Sequence, residues 1–351
     1  MTTIRSYQMI AKDKPFELAS CAAPPLSNGD ALVQIAGCGV CHTDISFWHY
    51  GVPTRQQPPL TLGHEISGTV IDGPANLIGE HVVVPAVLPC GDCELCHAGR
   101  SNICQNQKMP GNDFNGGFAS HVVVPARYLA RVPSAVLHDY QLAELAVIAD
   151  AVSTPYQAIQ KSELKSGDFA VIIGAGGVGL YAAQLAKIAG AHVLALDVSQ
   201  QRLDSLADTG ITNVLCTAGM SPKDIKEAVK AFCKNMGAPK YGWKIYEMSG
   251  TAAGQELAYA LLGIAGVLSV VGFTMDKLEL RLSNLMAFDA QAIGTWGCKP
   301  ELYIDVLRLI EEKRLKLKPF TETRPLSSIN EIFRLALDHQ LTKRVVLVPD
   351  F

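Results

Sequence analysis

The chain has 351 residues, 48% of them hydrophobic and 18% charged, with a formal net charge of -3. That length and composition suit two soluble globular domains with ample core, and the charge leaves no basic face for nucleic acid. No apolar run reaches the length a bilayer span needs. The start, Met1 to Arg5, lacks the apolar stretch of a signal peptide, so the expected location is the cytoplasm; there the ten cysteines stay reduced and form no disulfide framework.

The first elements read as short strands, Phe16-Glu17-Leu18 and Ala31 to Ile35, separated by turn signals at Pro24-Pro25 and Asn28-Gly29-Asp30. Gly37-Cys38-Gly39-Val40-Cys41-His42-Thr43-Asp44 follows at the strand end, and then Gly63-His64-Glu65. Thiolate and imidazole are preferred zinc ligands, and a catalytic zinc takes three protein ligands and keeps one position open. Cys41 and His64 supply two of the three. Taken singly they read first as a buried cysteine and a core histidine, so the metal reading depends on the rest of the chain. Asp44 is either the carboxylate that receives the second N–H of a metal-bound histidine or a helix N-terminal acid. Phe47-Trp48-His49-Tyr50 reads as a pocket wall or as ordinary core. Further strands are expected at Gly68 to Ile71 and His81 to Val84.

Cys90, Cys93, Cys96 and Cys104 fall within one compact segment. Four thiols so placed close a tetrahedral zinc site with no open position, a structural role; His97, inside the segment, is surplus. A strand is expected at His121 to Val124, and an Ala-rich helical stretch from Gln141 to Gln160 that contains Asp150. A carboxylate in that apolar setting needs a partner: it is a hydrogen-bonded core or cap residue, or a third metal ligand.

Beyond residue 152 the pattern changes. Asp168 to Ile173 is a continuous apolar strand, as in a buried parallel sheet. It runs into Gly174-Ala175-Gly176-Gly177-Val178-Gly179, a helix from Leu180 to Ala189, and a strand from His192 that closes on Asp197. Strand, glycine turn, helix and closing acid together make a dinucleotide fingerprint. The glycines allow the tight turn and close approach of the pyrophosphate to the helix N-terminus. Asp197 would accept from the adenosine ribose hydroxyls, and its charge opposes a 2′-phosphate, which favours NAD over NADP. Strands at Ile211 to Leu215, Lys244 to Met248, Gly266 to Gly272 and Gln291 to Thr295 continue a doubly wound α/β sheet. The lysine-rich stretch Ser221 to Lys234 reads as a helix with a solvated face. Glu301 to Lys313 (helical), Ser328 to Asp338 and Arg344 to Val348 complete the chain.

Gly39 to Asp44, Gly63-His64-Glu65, the four-cysteine segment and Gly174 to Gly179 together resemble the zinc-containing medium-chain alcohol dehydrogenases over essentially the whole chain. The resemblance implies a GroES-like, mainly β catalytic domain from 1–151 and 297–351, with the structural zinc lobe at 88–105, and a Rossmann domain at 152–296. It implies two zinc ions, and it decides Asp150 as the third ligand of the catalytic one, beside Cys41 and His64. Glu65 corresponds to an acid that approaches that zinc as an alternate ligand, and Thr43 to the hydroxyl that hydrogen-bonds the substrate oxygen. His42 and Arg344 correspond to pyrophosphate contacts, Arg202 to a residue near the adenosine ribose, and Val271 to a further cofactor contact. Where many members carry a relay histidine this chain has Ser46, so the proton exits through Ser46 and water, His49 or another route.

A narrower resemblance rests on Met109 to Asp113, Gly116 to Pro125 and Val83 to Val87. These stretches are similar to dehydrogenases of cyclic hydroxyacyl-CoA thioesters in anaerobic aromatic degradation through benzoyl-CoA. That implies a secondary alcohol carried as an acyl-CoA thioester, with Phe47 and Trp48 against its ring, and a homo-oligomer, expected to be a tetramer. The alternatives are a general zinc alcohol or polyol dehydrogenase, a zinc hydratase or lyase that retains NAD, and a non-enzymatic nucleotide-binding protein of the same fold.

Overall fold

Short stretches rich in Val, Ile and Leu, punctuated by glycine, build the sheets of both parts of the chain. The structure, a computed structural model, describes residues 2–351. The chain divides into two units: residues 1–153, 297–313 and 320–351 in one, residues 154–296 and 314–319 in the other.

The first unit opens with a hairpin of β1 (Thr3–Gln8) and β2 (Glu17–Ala22), paired antiparallel. β3 (Asp30–Gly39) leads through Cys41 into the single turn α1 (His42–Ile45). β4 (Glu65–Asp72), β5 (His81–Val84), the turn α2 (Glu94–His97), β6 (His121–Pro125) and β7 (Ala130–Arg131) follow. A run of 3-10 turns, Leu142–Ala149, ends at Asp150, and helix α3 (Ser153–Lys161) begins beyond it. One helix was expected over 141–160. The structure breaks it at Asp150, whose φ of -141° and ψ of -57° lie outside the helical basin.

The second unit takes up β8 (Phe169–Ile173), α4 (Gly179–Ile188), β9 (His192–Asp197), α5 (Gln200–Asp204), β10 (Val214–Cys216) and α6 (Pro222–Asn235). It continues with β11 (Lys244–Glu247), α7 (Ala252–Leu261), β12 (Val267–Val270), α8 (Ser283–Phe288) and β13 (Gln291–Gly294). The chain then returns to the first unit with α9 (Tyr303–Glu311), β14 (Thr321–Pro325), α10 (Ile329–Leu337) and β15 (Arg344–Val348). Between α9 and β14, residues 314–319 pack with the second unit: the Lys316 N–H donates to Gln184 Oε1 at 3.0 Å, and Gln184 Nε2 donates back to the Lys316 carbonyl at 3.1 Å.

The first unit's main sheet runs β14-β15-β3-β4-β5-β7, with β6 also on β3. Its register decides the site. β3 and β4 pair antiparallel with Gly39 opposite Glu65. Cys41, just past the end of β3, is thereby brought to His64, just before β4. The second unit's sheet is parallel throughout, in the order β10-β9-β8-β11-β12-β13. This is the doubly wound dinucleotide-binding order, and ligands bind such sheets beyond the carboxyl ends of the strands. All five residues of β8 are buried, each large apolar side chain stabilising the fold by about 1.5–3 kcal/mol. Ile225, Val229 and Cys233 face inward from α6, and its lysines lie on the outward face, as the sequence pattern implied. Among the described residues no helix is long and apolar enough to cross a membrane.

Candidate metal centres and dinucleotide cradle

Three chain segments in the first unit converge on one point. Cys41 caps α1 in extended conformation, and Asp44 ties the segment together. Asp44 Oδ2 accepts the Cys41 N–H at 3.0 Å, Oδ1 accepts the Gly63 N–H at 3.1 Å, and Oδ1 lies 3.3 Å from His64 Nδ1. Asp44 therefore takes the role of orienting carboxylate, and also holds a fixed local turn. Gly63 has a φ of +97°, and a Cβ there would stand 2.6 Å from Cys38 Sγ, so only glycine delivers His64 at this angle. Asp150 arrives from the break between the 3-10 turns and α3. Its Oδ2 lies 3.5 Å from Cys41 Sγ and 3.6 Å from His64 Nε2.

Ligand atoms of Cys41, His64, Glu65 and Asp150 all lie within 4.8 Å of one another. His64 is buried, and neither ring nitrogen has a hydrogen-bond partner of good geometry. A buried imidazole without partners is costly unless a cation completes the site. Its electrostatics agree. Burial disfavours a charged imidazole, yet the Asp44 carboxylate, Asp150 and Cys41 outweigh burial and raise the His64 pKa well above its ordinary value. The cluster draws positive charge to this point, which a divalent zinc supplies better than a proton.

Glu65 lies on the other side. Arg344 Nε donates to its Oε2 at 3.0 Å, a second guanidinium nitrogen donates to Oε1, and the Ala151 N–H donates to Oε1 at 3.0 Å. Burial pushes the Glu65 carboxyl up and the Arg344 guanidinium pulls it down. Burial works against Arg344 too, but Glu65 more than compensates and keeps it charged. We read the two as an ionised, bidentate pair. A Cβ on Gly39 would fall 2.0 Å from Glu65 Oε2, so the glycine before Cys41 makes room for that carboxylate. The ion pair was not legible in the sequence: the partners are 279 positions apart.

The neighbours of the site divide. Thr43 is half-buried with Oγ1 3.7 Å from Cys41 Sγ, and His42 is exposed. Ser46 Oγ donates to the His42 carbonyl at 2.9 Å, and His49 Nδ1 pairs with Asp13 at 2.5 Å. Of the two readings of the aromatic run, the structure favours core for Trp48. Its ring packs against Phe16 and Phe333, and its indole N–H donates to the Lys14 carbonyl at 2.7 Å. Phe47 belongs to the same buried cluster, 8% exposed.

The four-cysteine lobe is a second, closed set. Cys93 Sγ lies 3.5 Å from Cys96 Sγ and 3.6 Å from Cys104 Sγ, and Cys104 Sγ lies 3.4 Å from Cys90 Sγ. These separations are too long for a disulfide. They are close to the edges, roughly 3.8 Å, of a tetrahedron with Zn–S bonds of about 2.3 Å. Backbone N–H groups around Asp92, with the Cys104 thiol, lower the Cys90 pKa to about 6, so a thiolate is at hand. Burial pushes Cys104 up to about 12, a shift that a bound cation reverses. Arg127 anchors the lobe by donating to the Pro89 and Cys90 carbonyls. His97 points away, 3.7 Å from Asp92.

In the second unit, β8 ends at Gly174 with φ +92°, and α4 begins at Gly179. A Cβ on Gly179 would sit 1.7 Å from the Gly174 carbonyl oxygen, whereas one on Gly176 would meet nothing within 4 Å. The outer glycines are required by the turn itself, and Gly176 leaves an open face for a phosphate. No side chain caps α4 at Val178; the Leu180 N–H donates to the Gly176 carbonyl at 3.0 Å, and the positive end of the helix is otherwise left to an anion. Asp197 closes β9. Its Oδ2 accepts the Ala175 N–H at 2.6 Å and its Oδ1 the Ser199 N–H at 2.8 Å, which aims the carboxylate along the glycine turn. Arg202 Nη1 lies 3.9 Å from Asp197 Oδ1. Val271 follows β12 and donates its N–H to the Glu247 carbonyl at 3.1 Å. Glu247 itself was missed in the sequence: its Oε1 accepts the N–H groups of Ser249 at 2.8 Å and Gly250 at 3.1 Å, holding the turn after β11.

Comparison with known proteins agrees with both halves. Residues 27–134 match the family described as Alcohol dehydrogenase GroES-like domain, and residues 177–312 the one described as Zinc-binding dehydrogenase. An alcohol dehydrogenase of Geobacillus stearothermophilus is 30% identical over 347 residues, spanning 95% of this chain and 96% of that one. A 2-dehydro-3-deoxy-L-galactonate 5-dehydrogenase of Pseudoalteromonas atlantica is 28% identical over 326 residues, 92% of each chain. The solved alcohol dehydrogenase of Aeropyrum pernix aligns at 26% identity with a TM-score of 0.86, covering 98% of this chain and 100% of that one.

Proposed function

The chain belongs to the zinc-binding alcohol dehydrogenases, and from that membership we propose that it oxidises a secondary alcohol with NAD at the Cys41, His64 and Asp150 centre. The observation that carries this reading is that the ligand atoms of Cys41, His64 and Asp150 lie within 4.8 Å of one another, at a buried imidazole whose ring nitrogens make no hydrogen bond of good geometry. When bound, zinc supplies a Lewis acid that lowers the pKa of an alcohol hydroxyl, and NAD supplies the hydride acceptor.

The chain's own groups do the rest. Asp44 keeps His64 in one orientation. Thr43, beside Cys41, accepts the proton of the substrate hydroxyl and passes it outward. Ser46 has its own proton directed to the His42 carbonyl, so it relays only by first accepting one from water. Glu65 stays on Arg344 and approaches the metal when that pair opens. The Gly174 to Gly179 turn and the start of α4 take the pyrophosphate, with His42 and Arg344 as further contacts. Asp197 takes the adenosine ribose, with Arg202 at its side, and Val271 borders the cofactor. The four-cysteine lobe holds the second zinc as a structural ion.

For the substrate we propose 6-hydroxycyclohex-1-ene-1-carbonyl-CoA, oxidised to 6-oxocyclohex-1-ene-1-carbonyl-CoA in benzoyl-CoA degradation. Support comes from the segments at 83–87, 109–113 and 116–125; Phe47 and Trp48, the expected ring contacts, both lie in the buried core cluster. CoA would add binding energy remote from the reacting carbon, which can orient the ring. A second reading, a general dehydrogenase of small alcohols or polyols, is favoured by what the relatives are named for. A screen for NADH formation separates the two, with simple alcohols and polyols set beside alicyclic hydroxyacyl-CoA thioesters. Efficient turnover of the thioester, with kcat as well as KM suffering when CoA is truncated, supports the first. Equal turnover of free cyclohexenol or ethanol refutes it and leaves the second.

A further inference from the structure

Asp150 is held by more than its place in the chain. The Ala149 carbonyl, on the peptide that precedes it, accepts from two side chains: Ser153 Oγ at 3.1 Å and the hydroxyl of Tyr303 at hydrogen-bonding distance. The Ala86 N–H donates to the Tyr303 oxygen at 3.2 Å. Its lone pair being engaged there, the phenol's single proton is turned to Ala149. On the other side of Asp150, the Ala151 N–H is taken by Glu65. The two peptide planes that flank Asp150 are thus fixed from opposite directions, at a residue whose backbone is neither helical nor extended. The carboxylate is left little more than its own side-chain torsions with which to find Cys41 Sγ and His64 Nε2.

Tyr303 is 1% exposed, on α9, far along the chain from the loop it touches. Phenylalanine would fill the same space without a hydroxyl to desolvate. The buried oxygen makes two hydrogen bonds that end on backbone, one at Ala86 and the other at the peptide that carries the third ligand, and the Ser153 hydroxyl lies beside it.

We propose that Tyr303, seconded by Ser153, is a positioning residue for the catalytic metal, acting through the Ala149–Asp150 peptide. The proposal rests on the reading of Cys41, His64 and Asp150 as a zinc site. It reaches past the ligand set to a group that touches neither metal nor substrate.

The test compares wild-type holoenzyme with Tyr303→Phe and Ser153→Ala, using the four-cysteine site of the same chain as internal control. Two quantities are read: the rate at which each zinc is lost to a chelator, and the visible spectrum after cobalt(II) replaces the catalytic zinc. Loss of a group that orients a ligand should speed release from the Cys41 centre by about ten- to a hundredfold. It should also shift the cobalt bands, with release from the lobe unchanged. Ser153→Ala should move both quantities in the same direction, and serves alone if Tyr303→Phe does not fold. Release and spectra identical to wild type would overturn the proposal while the zinc reading stands. Equal acceleration at both sites would also overturn it, since that marks general loosening. A wild-type chain that holds no metal at Cys41 would overturn both.

Discussion

Asp150 is the proposed third ligand of the catalytic metal, its Oδ2 3.5 Å from Cys41 Sγ and 3.6 Å from His64 Nε2. Replacing it by Asn keeps the volume and removes the anionic ligand, so the four-cysteine zinc should stay while the catalytic one is lost. Without several kcal/mol of Lewis-acid stabilisation, kcat/KM should fall by about a thousandfold or more. Metal analysis and steady-state assays check this, and full activity in Asp150→Asn would remove it from the site. Asp197 bears on cofactor choice: with its carboxylate at the adenosine ribose, as we propose, it would oppose the extra phosphate of NADP, so kcat/KM should favour NAD by at least about tenfold, or about 1.4 kcal/mol. Arg202 is close enough to Asp197 to soften that preference; equal use of the two cofactors would mean that it cancels it. Glu247 offers a test by pH. Burial, opposed by the Ser249 and Gly250 donors, raises its carboxyl above the ordinary 4.5. The folded state therefore holds this proton more tightly than the unfolded chain, and the stability it contributes is full below 4.5 and is lost as pH rises through the raised value. Taken from about pH 4 to about pH 8, Glu247→Gln should lose less stability than wild type in urea melts. Parallel curves would show that Glu247 ionises in the fold as it does outside it.

Elements were legible to different degrees, for physical reasons. Strands β8 and β9, the glycine turn and α4 follow from an apolar run, a turn that only glycine can make and an acid at the strand end, all local signals. The four-cysteine lobe is local too, and Cys93→Ser should release its zinc and lower stability by on the order of several kcal/mol; an unchanged melting temperature would contradict a structural role. The break at Asp150 was not legible. Gln141 to Gln160 has the composition of one helix, and the interruption is held by Tyr303, Ser153 and Glu65, two of them far away in sequence. Trp48 fell on the core side of an open choice because Phe333 packs on it from α10. Likewise the resemblance assigned Arg344 a cofactor contact, and its ion pair with Glu65, 279 positions away, carries no local signal.

At the scale of the molecule, the chain makes its catalytic unit from both ends and inserts the parallel sheet between them, an order visible as a change of hydrophobic period near residue 152. Homo-oligomerisation, proposed as a tetramer, is checked by light scattering at working concentration; a single-chain mass would refute it. The central claim is that one chain holds two zinc ions with different duties, one closed in the lobe and one open to substrate. The most direct measurement is zinc stoichiometry on carefully prepared wild type and Asp150→Asn, read beside NADH formation. We expect two zinc ions and activity in the wild type, and one zinc ion and a folded, inactive chain in the variant. A wild type with one zinc ion or none, or a variant that keeps both, would contradict it.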